Sequence, residues 1–165
     1  LVELIFEDEI SSLLHLKLFS YDDFTVFSDI SEDLSNRILS KRSEYFSFSS
    51  FAKLIKTKNV TLSRVSRCLI HILLDIKKED ETALKNVGFA PYVHILSMKK
   101  KAVDLLKDIR IPHFASLSEK KEFSPEAERL LKKDCLSYDI YRVLLTKKTG
   151  RTYKIESSRK FELYE

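Results

Sequence analysis

A basic stripe runs along one face of an amphipathic segment in the first half of the chain. Arg64, Arg67 and His71 recur at intervals of three and four residues, which places them along one side of a helix. Lys78 continues this line if the helix extends that far. Guanidinium and ammonium groups bind phosphate oxygens, and a row of them is suited to a polyanion. The spacing therefore indicates a phosphate-binding helix face.

Two further lysines and a capping residue precede this helix. Lys56 and Lys58 lie in the turn before Thr61, whose side chain is of the type that caps a helix N-terminus. The free N–H groups of a helix start also attract anions. Residues 56–78 hold six basic residues against one acid. We therefore assign as candidate phosphate-binding residues Lys56, Lys58, Thr61, Arg64, Arg67, His71 and Lys78.

A structural interpretation of the same stripe stays open. Residues 1–35 hold nine acidic residues and one lysine, although the whole chain carries a net charge of +4. Arg64 or Arg67 then pairs with these acids, or with another domain, and binds no polyanion. Exposed arginines would favour polyanion binding, and salt-bridged arginines the structural role. The nearby Phe46, Phe48 and Phe51 lie at core spacing and are interpreted as packing residues.

The composition argues against a complete nucleotide-using enzyme. Loops that hold phosphates need several glycines, but only Gly88 and Gly150 are present, with no G-x-G-x-x-G and no H-x-G-H pair. Cys68 and Cys135 form no C-x-x-C pair, and no cluster has metal-ligand spacing. We predict no catalytic residues, no metal and no cofactor in this chain.

The first residues bear on the origin and location of the chain. Its acidic start differs from a signal peptide, and no apolar run reaches the roughly 18–20 residues that cross a bilayer. The expectation is a cytoplasmic protein without a membrane partner. The chain starts with Leu1 rather than Met, which predicts that it begins inside a longer protein; a processed N-terminus is the alternative.

Apolar periodicity predicts four helices in the first half. They cover about residues 7–20, 31–44, 48–55 after Ser47, and 62–75 after Thr61. The helix at 62–75 has the widest apolar face, so it is expected to be largely buried on that side. Residues 1–76 are therefore predicted to form a helical bundle that contains the basic helix.

The pattern changes in the second half. Residues 91–96 and 111–115 are predicted strands that flank an amphipathic helix at 99–109, which gives a small β-α-β element with parallel strands. Ser124-Pro125 opens further helical sequence to about residue 146, with a break near 135–137. The predicted fold class is mainly α: a helical bundle, then a small β-α-β element and further helices. The predicted divisions are 1–76, a connection at 77–90, an α/β subdomain at 91–146 and a polar tail at 147–165.

Several segments resemble one known family in the same order along the chain. Residues 56–67, KTKNVTLSRVSR, are similar to the K-x-K-R-Y-T-x-x-R-I-x-R segment of the tRNA(Met) cytidine acetate ligase family. Residues 29–38 resemble its D-[VI]-[ST]-E-G-L-x-N-R-I segment, and residues 91–96 its P-x-Y-[IV]-R-[VI]-L strand. Asn59 and Val60 depart from the basic-aromatic pair, and Asp33 stands where the family has Gly. The resemblance covers about residues 1–145.

The resemblance implies a function that the residues alone do not. Members of this nucleotidyltransferase-like family carry an N-terminal catalytic domain with an H-x-G-H motif. They use ATP, with Mg, and acetate to acetylate N4 of the wobble cytidine of elongator tRNA(Met). A C-terminal helical region helps to hold the tRNA, and this chain resembles that region only. The resemblance therefore implies that the candidate phosphate-binding residues are RNA-binding residues. The implied partners are tRNA, expected to be elongator tRNA(Met), and the protein's own N-terminal catalytic domain.

Overall fold

The computed structural model describes residues 4–117, 123–155, 158 and 161–165. Within them the fold is mainly helical, with short pairs of parallel strands, and this confirms the predicted fold class at that level. The chain divides into two units, residues 1–81 and 82–165. No helix in the described ranges is long and apolar enough to cross a bilayer.

Short helices with well-defined starts build the first unit. A 3-10 helix, Glu7–Ile10, leads into α1 (Ser11–Leu18), and α2 (Glu32–Lys41) leads into a second 3-10 turn, Arg42–Glu44. Helices α3 (Phe48–Ile55) and α4 (Leu62–Leu73) follow, and α5 (Lys78–Asn86) crosses the boundary between the units. Side chains at the first position before three of these helices accept a backbone N–H bond: Ser31, Ser47 and Thr61.

Aromatic and aliphatic side chains fill the core of the first unit. Phe48 and Phe51 are buried, as predicted, and Phe27 is fully enclosed. The prediction that Phe46 also packs inside is wrong, because its side chain is 87% exposed. The neighbouring Tyr45 occupies the core instead, with its ring 5.0 Å from that of Phe51. Phe46 therefore lies just outside the core, in the extended connection before α3.

The second unit holds two pairs of parallel strands. Strand β1 (Val93–His94) pairs with β3 (His113–Phe114), and β2 (Ser97–Lys99) pairs with β4 (Glu162–Tyr164). The predicted parallel pairing of the segments at 91–96 and 111–115 is thus confirmed. Strand β4 falls in the stretch predicted as a polar tail.

Two helical predictions in this unit need correction. The segment between the strands is a 3-10 helix, Lys100–Asp108, rather than an α-helix. A 3-10 helix rises about 2.0 Å per residue against about 1.5 Å for an α-helix, so nine residues cover more distance on the return to β3. Helix α6 (Pro125–Thr149) is continuous through residues 135–137, and it ends at Gly150, whose φ of 68° provides a left-handed cap.

A small aromatic cluster lies beside the β1–β3 pair. The His94 ring stacks on Phe114 with centroids 4.5 Å apart. The Tyr92 hydroxyl donates a hydrogen bond to the Asp134 carboxylate. Burial, together with this bond and the carboxylate charge, raises the pKa of Tyr92. Asp134 therefore has a structural partner within the same unit.

The Asp8 carboxylate supports the start of α3, and this makes the first unit sensitive to acid. Asp8 accepts the Ser49 N–H and hydroxyl, both at 2.7 Å, and these bonds lower its pKa below 3.8. A lowered folded-state pKa gives stability that is present above pH 3.8 and is lost as the pH falls through the folded-state value. We therefore expect Asp8→Asn to reduce the urea midpoint at neutral pH, with a difference that shrinks in strong acid.

Circular dichroism across a pH series measures that midpoint. Asp108→Asn, at an exposed site in the second unit, serves as the control for loss of one carboxylate. A destabilisation by Asp8→Asn that is equally large in strong acid would contradict the role of the ionised carboxylate.

Candidate RNA-binding surface

Helix α4 presents two different faces. Val65, Leu69 and Ile72 are fully buried, so this side anchors the helix in the core of the first unit. Arg64 and Arg67, on another side, are exposed. Burial of the apolar side fixes the direction of the basic side, because a helix cannot turn one face without the other. The predicted basic stripe is therefore carried by a firmly packed helix.

Both arginines bond to a single residue that precedes α2. Arg67 Nε lies 2.7 Å from the Asp29 carboxylate oxygen Oδ2. Arg64 Nη2 donates to the Asp29 carbonyl oxygen at 3.2 Å. The side chain of Arg67 is nevertheless 56% exposed, and that of Asp29 is 34% exposed. The arginines are paired within the unit and also open to solvent.

His71 is engaged with the same loop. Its Nδ1 lies 2.9 Å from the Ser28 carbonyl oxygen. Because a carbonyl only accepts, Nδ1 must carry the proton and donate. The Ser28 hydroxyl in turn donates to Glu81 at 2.7 Å. His71 therefore anchors the loop before α2, and its Nδ1 proton is already committed.

Cys68 contacts this loop from the interior side of α4. Its thiol lies 3.5 Å from the Asp29 carbonyl oxygen. Burial raises the pKa of the Cys68 thiol, and the Asp29 charge raises it further, so the thiol stays protonated at neutral pH. Because the thiolate is the nucleophilic form of cysteine, this residue is a packing residue.

The expectation that Lys78 extends the stripe is wrong. Helix α4 ends at Leu73, and Asp75 follows with a left-handed φ of 56°, which reverses the chain. Lys78 instead opens α5, where its backbone N–H donates to the Val26 carbonyl at 3.0 Å. Its side chain lines a separate open cavity of about 580 Å³ together with Asp22, Asp23, Thr25, Ile30, Ser31, Glu32, Ser35, Asn36 and Leu39.

Lys56 and Lys58 lie in the connection between α3 and α4. Lys56 follows the last residue of α3, and both side chains are exposed. Neither forms an ion pair with any residue that the structure describes. The Thr61 hydroxyl accepts the Arg64 N–H at 3.3 Å and so caps α4. The two lysines therefore add unpaired positive charge near the start of the basic helix.

Arg37 is a cationic residue that the spacing argument missed. It lies on α2, which packs against α3, and its Nε is enclosed without a hydrogen-bond partner within the described part of the chain. An enclosed N–H without a partner is costly. The only sequence signal was its place in the Asn36-Arg37-Ile38 segment of the family resemblance. Arg37 therefore leaves one enclosed donor without a partner among the described residues.

Thr61 has a structural role that can be tested apart from RNA. We expect Thr61→Ala to lower the free energy of unfolding by about 1 kcal/mol, because the Arg64 N–H loses its acceptor. Thr61→Ser keeps the hydroxyl and should retain most of the stability. Urea denaturation measures both variants, and equal losses in the two would contradict the capping role.

Arg37 allows a test in the free protein. We expect Arg37→Met to raise the free energy of unfolding by about 1 kcal/mol, because the aliphatic stem remains while the enclosed Nε donor is removed. Arg37→Ala, which removes the stem as well, should gain less. A clear loss of stability in Arg37→Met, measured by urea denaturation, would mean that Nε is satisfied in solution.

Comparisons with known proteins identify a family model and several relatives. The family model described as HIGH Nucleotidyl Transferase matches residues 2–156. The tRNA(Met) cytidine acetate ligase of Bacillus cereus (strain ATCC 14579) is 37% identical over 101 residues, which are 59% of this chain and 26% of that protein. The ligase of Thermoanaerobacter sp. (strain X514) is 28% identical over 138 residues, 81% of this chain and 33% of that protein.

Two solved structures of one protein are similar in fold to this chain. The crystal structure of Thermotoga maritima TmcAL bound with alpha-thio ATP matches 94% of this chain with a TM-score of 0.80 at 18% identity. The apo form of TmcAL matches 96% with a TM-score of 0.81 at 19% identity. In both cases the match covers 41% of the solved chain. The chain thus spans about a quarter to a third of these curated relatives, and it shares a fold with part of TmcAL.

Proposed function

The chain belongs to the HIGH Nucleotidyl Transferase family, and from this premise we propose that it is the tRNA-binding C-terminal region of a tRNA(Met) cytidine acetate ligase. The observation that carries the proposal is the exposed pair of arginines on α4, with Lys56 and Lys58 before it. Phosphate contacts of this kind supply a large share of the affinity of proteins for nucleic acids. The relatives' name supports tRNA as the nucleic acid.

The chemical step is assigned to another part of the protein. The family is named for a HIGH motif, and this sequence contains neither that motif nor an H-x-G-H pair. The relatives are about three to four times longer than the part they share with this chain. We place the use of ATP, with Mg, and acetate in an N-terminal catalytic domain, with N4 of the wobble cytidine of elongator tRNA(Met) as the acceptor. We expect the protein to act in the cytoplasm.

The proposed surface combines three kinds of donor. Lys56 and Lys58 act as mobile point charges that attract the phosphate backbone. Arg64 and Arg67 offer planar guanidinium edges that take two phosphate oxygens each. At the start of α4 the Arg64 N–H donates to the Thr61 hydroxyl, and the N–H groups before it point toward the N-terminal end of the helix. RNA bound in this way is released as salt rises.

The alternative is a structural or protein-interaction module that packs on the nucleotidyltransferase-like catalytic domain. The ion pair between Arg67 and Asp29 is the observation that favours it, since the stripe then serves the unit itself. An exposed ion pair contributes only about 0–1 kcal/mol to stability, however. Arg67 also remains 56% exposed, with its other N–H groups available. We therefore favour RNA binding over the structural role.

The test is binding to unmodified elongator tRNA(Met) and to a second tRNA across about 50–200 mM salt. We expect the double variant Arg64→Gln/Arg67→Gln to weaken binding and to lower the slope of log affinity against log salt by roughly 1.5 to 2, because two phosphate contacts are lost. Glutamine is preferred to glutamate here, since it can still donate to Asp29 and leaves the loop in place.

The matched control is Lys132→Gln/Lys147→Gln, which removes two exposed positive charges from α6 in the other unit. It should leave affinity and slope nearly unchanged. An unchanged affinity in a folded Arg64→Gln/Arg67→Gln protein would overturn the proposal and favour the structural alternative. If the native chain binds tRNA(Met) more tightly than the second tRNA, its role extends to substrate selection.

A further inference from the structure

Asp29 contacts both arginines of the basic surface although it carries the opposite charge. Its carbonyl oxygen accepts from Arg64 Nη2 at 3.2 Å, and its carboxylate accepts from Arg67 Nε at 2.7 Å. The two arginines are one helical turn apart on α4. One acidic residue therefore fixes both guanidinium groups, each through a single hydrogen bond, at the solvent boundary.

The backbone of Asp29 makes this double contact possible. Its φ of 64° lies in the left-handed region, where aspartate and asparagine are tolerated better than most residues other than glycine. The flanking Phe27 and Ile30 are buried, and the Ser28 N–H donates to the Ile76 carbonyl at 3.1 Å. The loop is thus held on both sides of Asp29, so its carbonyl and carboxylate point at α4 from a fixed position.

The arrangement leaves most of the guanidinium donors unused. Each guanidinium has five N–H bonds, and Asp29 engages one nitrogen of each. Among the described residues, no other hydrogen bond or ion pair holds these two guanidinium groups. A free arginine loses side-chain entropy when it binds a phosphate, whereas one already held in place loses less. Asp29 thereby lowers the entropic cost of binding.

We propose that Asp29 is a positioning residue, which holds Arg64 and Arg67 in fixed orientations for contacts with the phosphate backbone of bound RNA. The inference rests on the proposed RNA-binding function and adds the residue that prepares the surface for it. The solvent-facing N–H groups of both arginines then donate to phosphate oxygens, while Asp29 keeps its hydrogen bonds with Arg64 and Arg67. The negative charge of Asp29 opposes the binding of phosphate, and the smaller loss of arginine side-chain entropy offsets this repulsion.

The sign of the effect separates positioning from simple electrostatics. If Asp29 only neutralises positive charge, its removal strengthens RNA binding, because the surface gains one net positive charge. If Asp29 positions the arginines, its removal weakens binding despite that gain. Two substitutions keep the backbone intact, because glycine and asparagine both accept a φ of 64°.

The experiment compares Asp29→Gly and Asp29→Asn with the native chain in tRNA binding at fixed salt, after circular dichroism has shown that each is folded. Asp29→Gly keeps the carbonyl that bonds Arg64 and removes the acceptor of Arg67. We expect it to weaken RNA binding by about fivefold, because one arginine must then be ordered on binding. Asp29→Asn keeps an oxygen acceptor for Arg67 Nε and should bind within about twofold of the native chain.

A combination with Arg67→Gln isolates the pathway of the effect. Asp29→Gly should weaken RNA binding in the native background and have little further effect when Arg67→Gln is present, because the residue to be positioned is gone. An equal loss in both backgrounds would show a general effect of the loop and overturn the inference. Binding by Asp29→Gly that equals or exceeds that of the native chain would overturn it as well.

Failure of this inference can be distinguished from failure of the proposed function. If Arg64→Gln/Arg67→Gln weakens RNA binding and Asp29→Gly does not, the proposed RNA binding is supported and the positioning role of Asp29 is rejected. If neither variant changes RNA binding, the proposed function itself is rejected. Titration with ATP in place of RNA tests whether the phosphate belongs to a nucleotide, and a loss confined to ATP in the Asp29→Gly protein would also overturn the inference.

Discussion

The geometry of the candidate surface depends on the short loop at residues 27–30, which is held between α4 and the segment that enters α5. On one side the loop accepts hydrogen bonds from α4 through the Ser28 and Asp29 carbonyls and the Asp29 carboxylate. On the other side Phe27 forms an antiparallel bridge with Lys77. The loop is therefore held on both sides, and it connects the acidic N-terminal part of the chain with the basic helix. Its bonds with Arg64 and Arg67 set the orientation of the two guanidinium groups.

Local signals in the sequence were sufficient to predict α1 to α4, but not α5, which lies in the stretch predicted as a connection at 77–90. Ser47 and Thr61 stand immediately before α3 and α4, and each accepts the backbone N–H that a capping residue should accept. The error at Phe46 shows the limit of this reasoning. Tyr45 and Phe46 are adjacent, and spacing alone does not say which of them turns inward. Tyr45 is the buried one of the two, and its ring stacks against His15 of α1 with centroids 4.6 Å apart.

The partner of the arginines could be predicted in kind but not in identity. Nine acidic residues in the first 35 made an ion pair with Arg64 or Arg67 plausible, but the sequence gives no way to select Asp29. Its contacts with α4 span 35 and 38 positions, and its left-handed φ carries no signal beyond the residue type. For the same reason the end of α4 at Leu73 was missed, since the reversal at Asp75 depends on contacts made by the following residues. Tertiary packing decided both points.

Ion pairing and exposure are not mutually exclusive in the basic stripe, because Arg67 bonds to Asp29 and is still 56% exposed. An exposed ion pair such as that of Arg67 with Asp29 adds little to stability, because water screens the charges and two side chains lose freedom. Such a pair is therefore better suited to orienting a side chain than to holding a fold together. Phosphate contacts made by oriented arginines set the position of a nucleic acid but carry no sequence information. Any preference for one tRNA must then arise from contacts to bases, and the longer relatives offer additional chain from which such contacts can come.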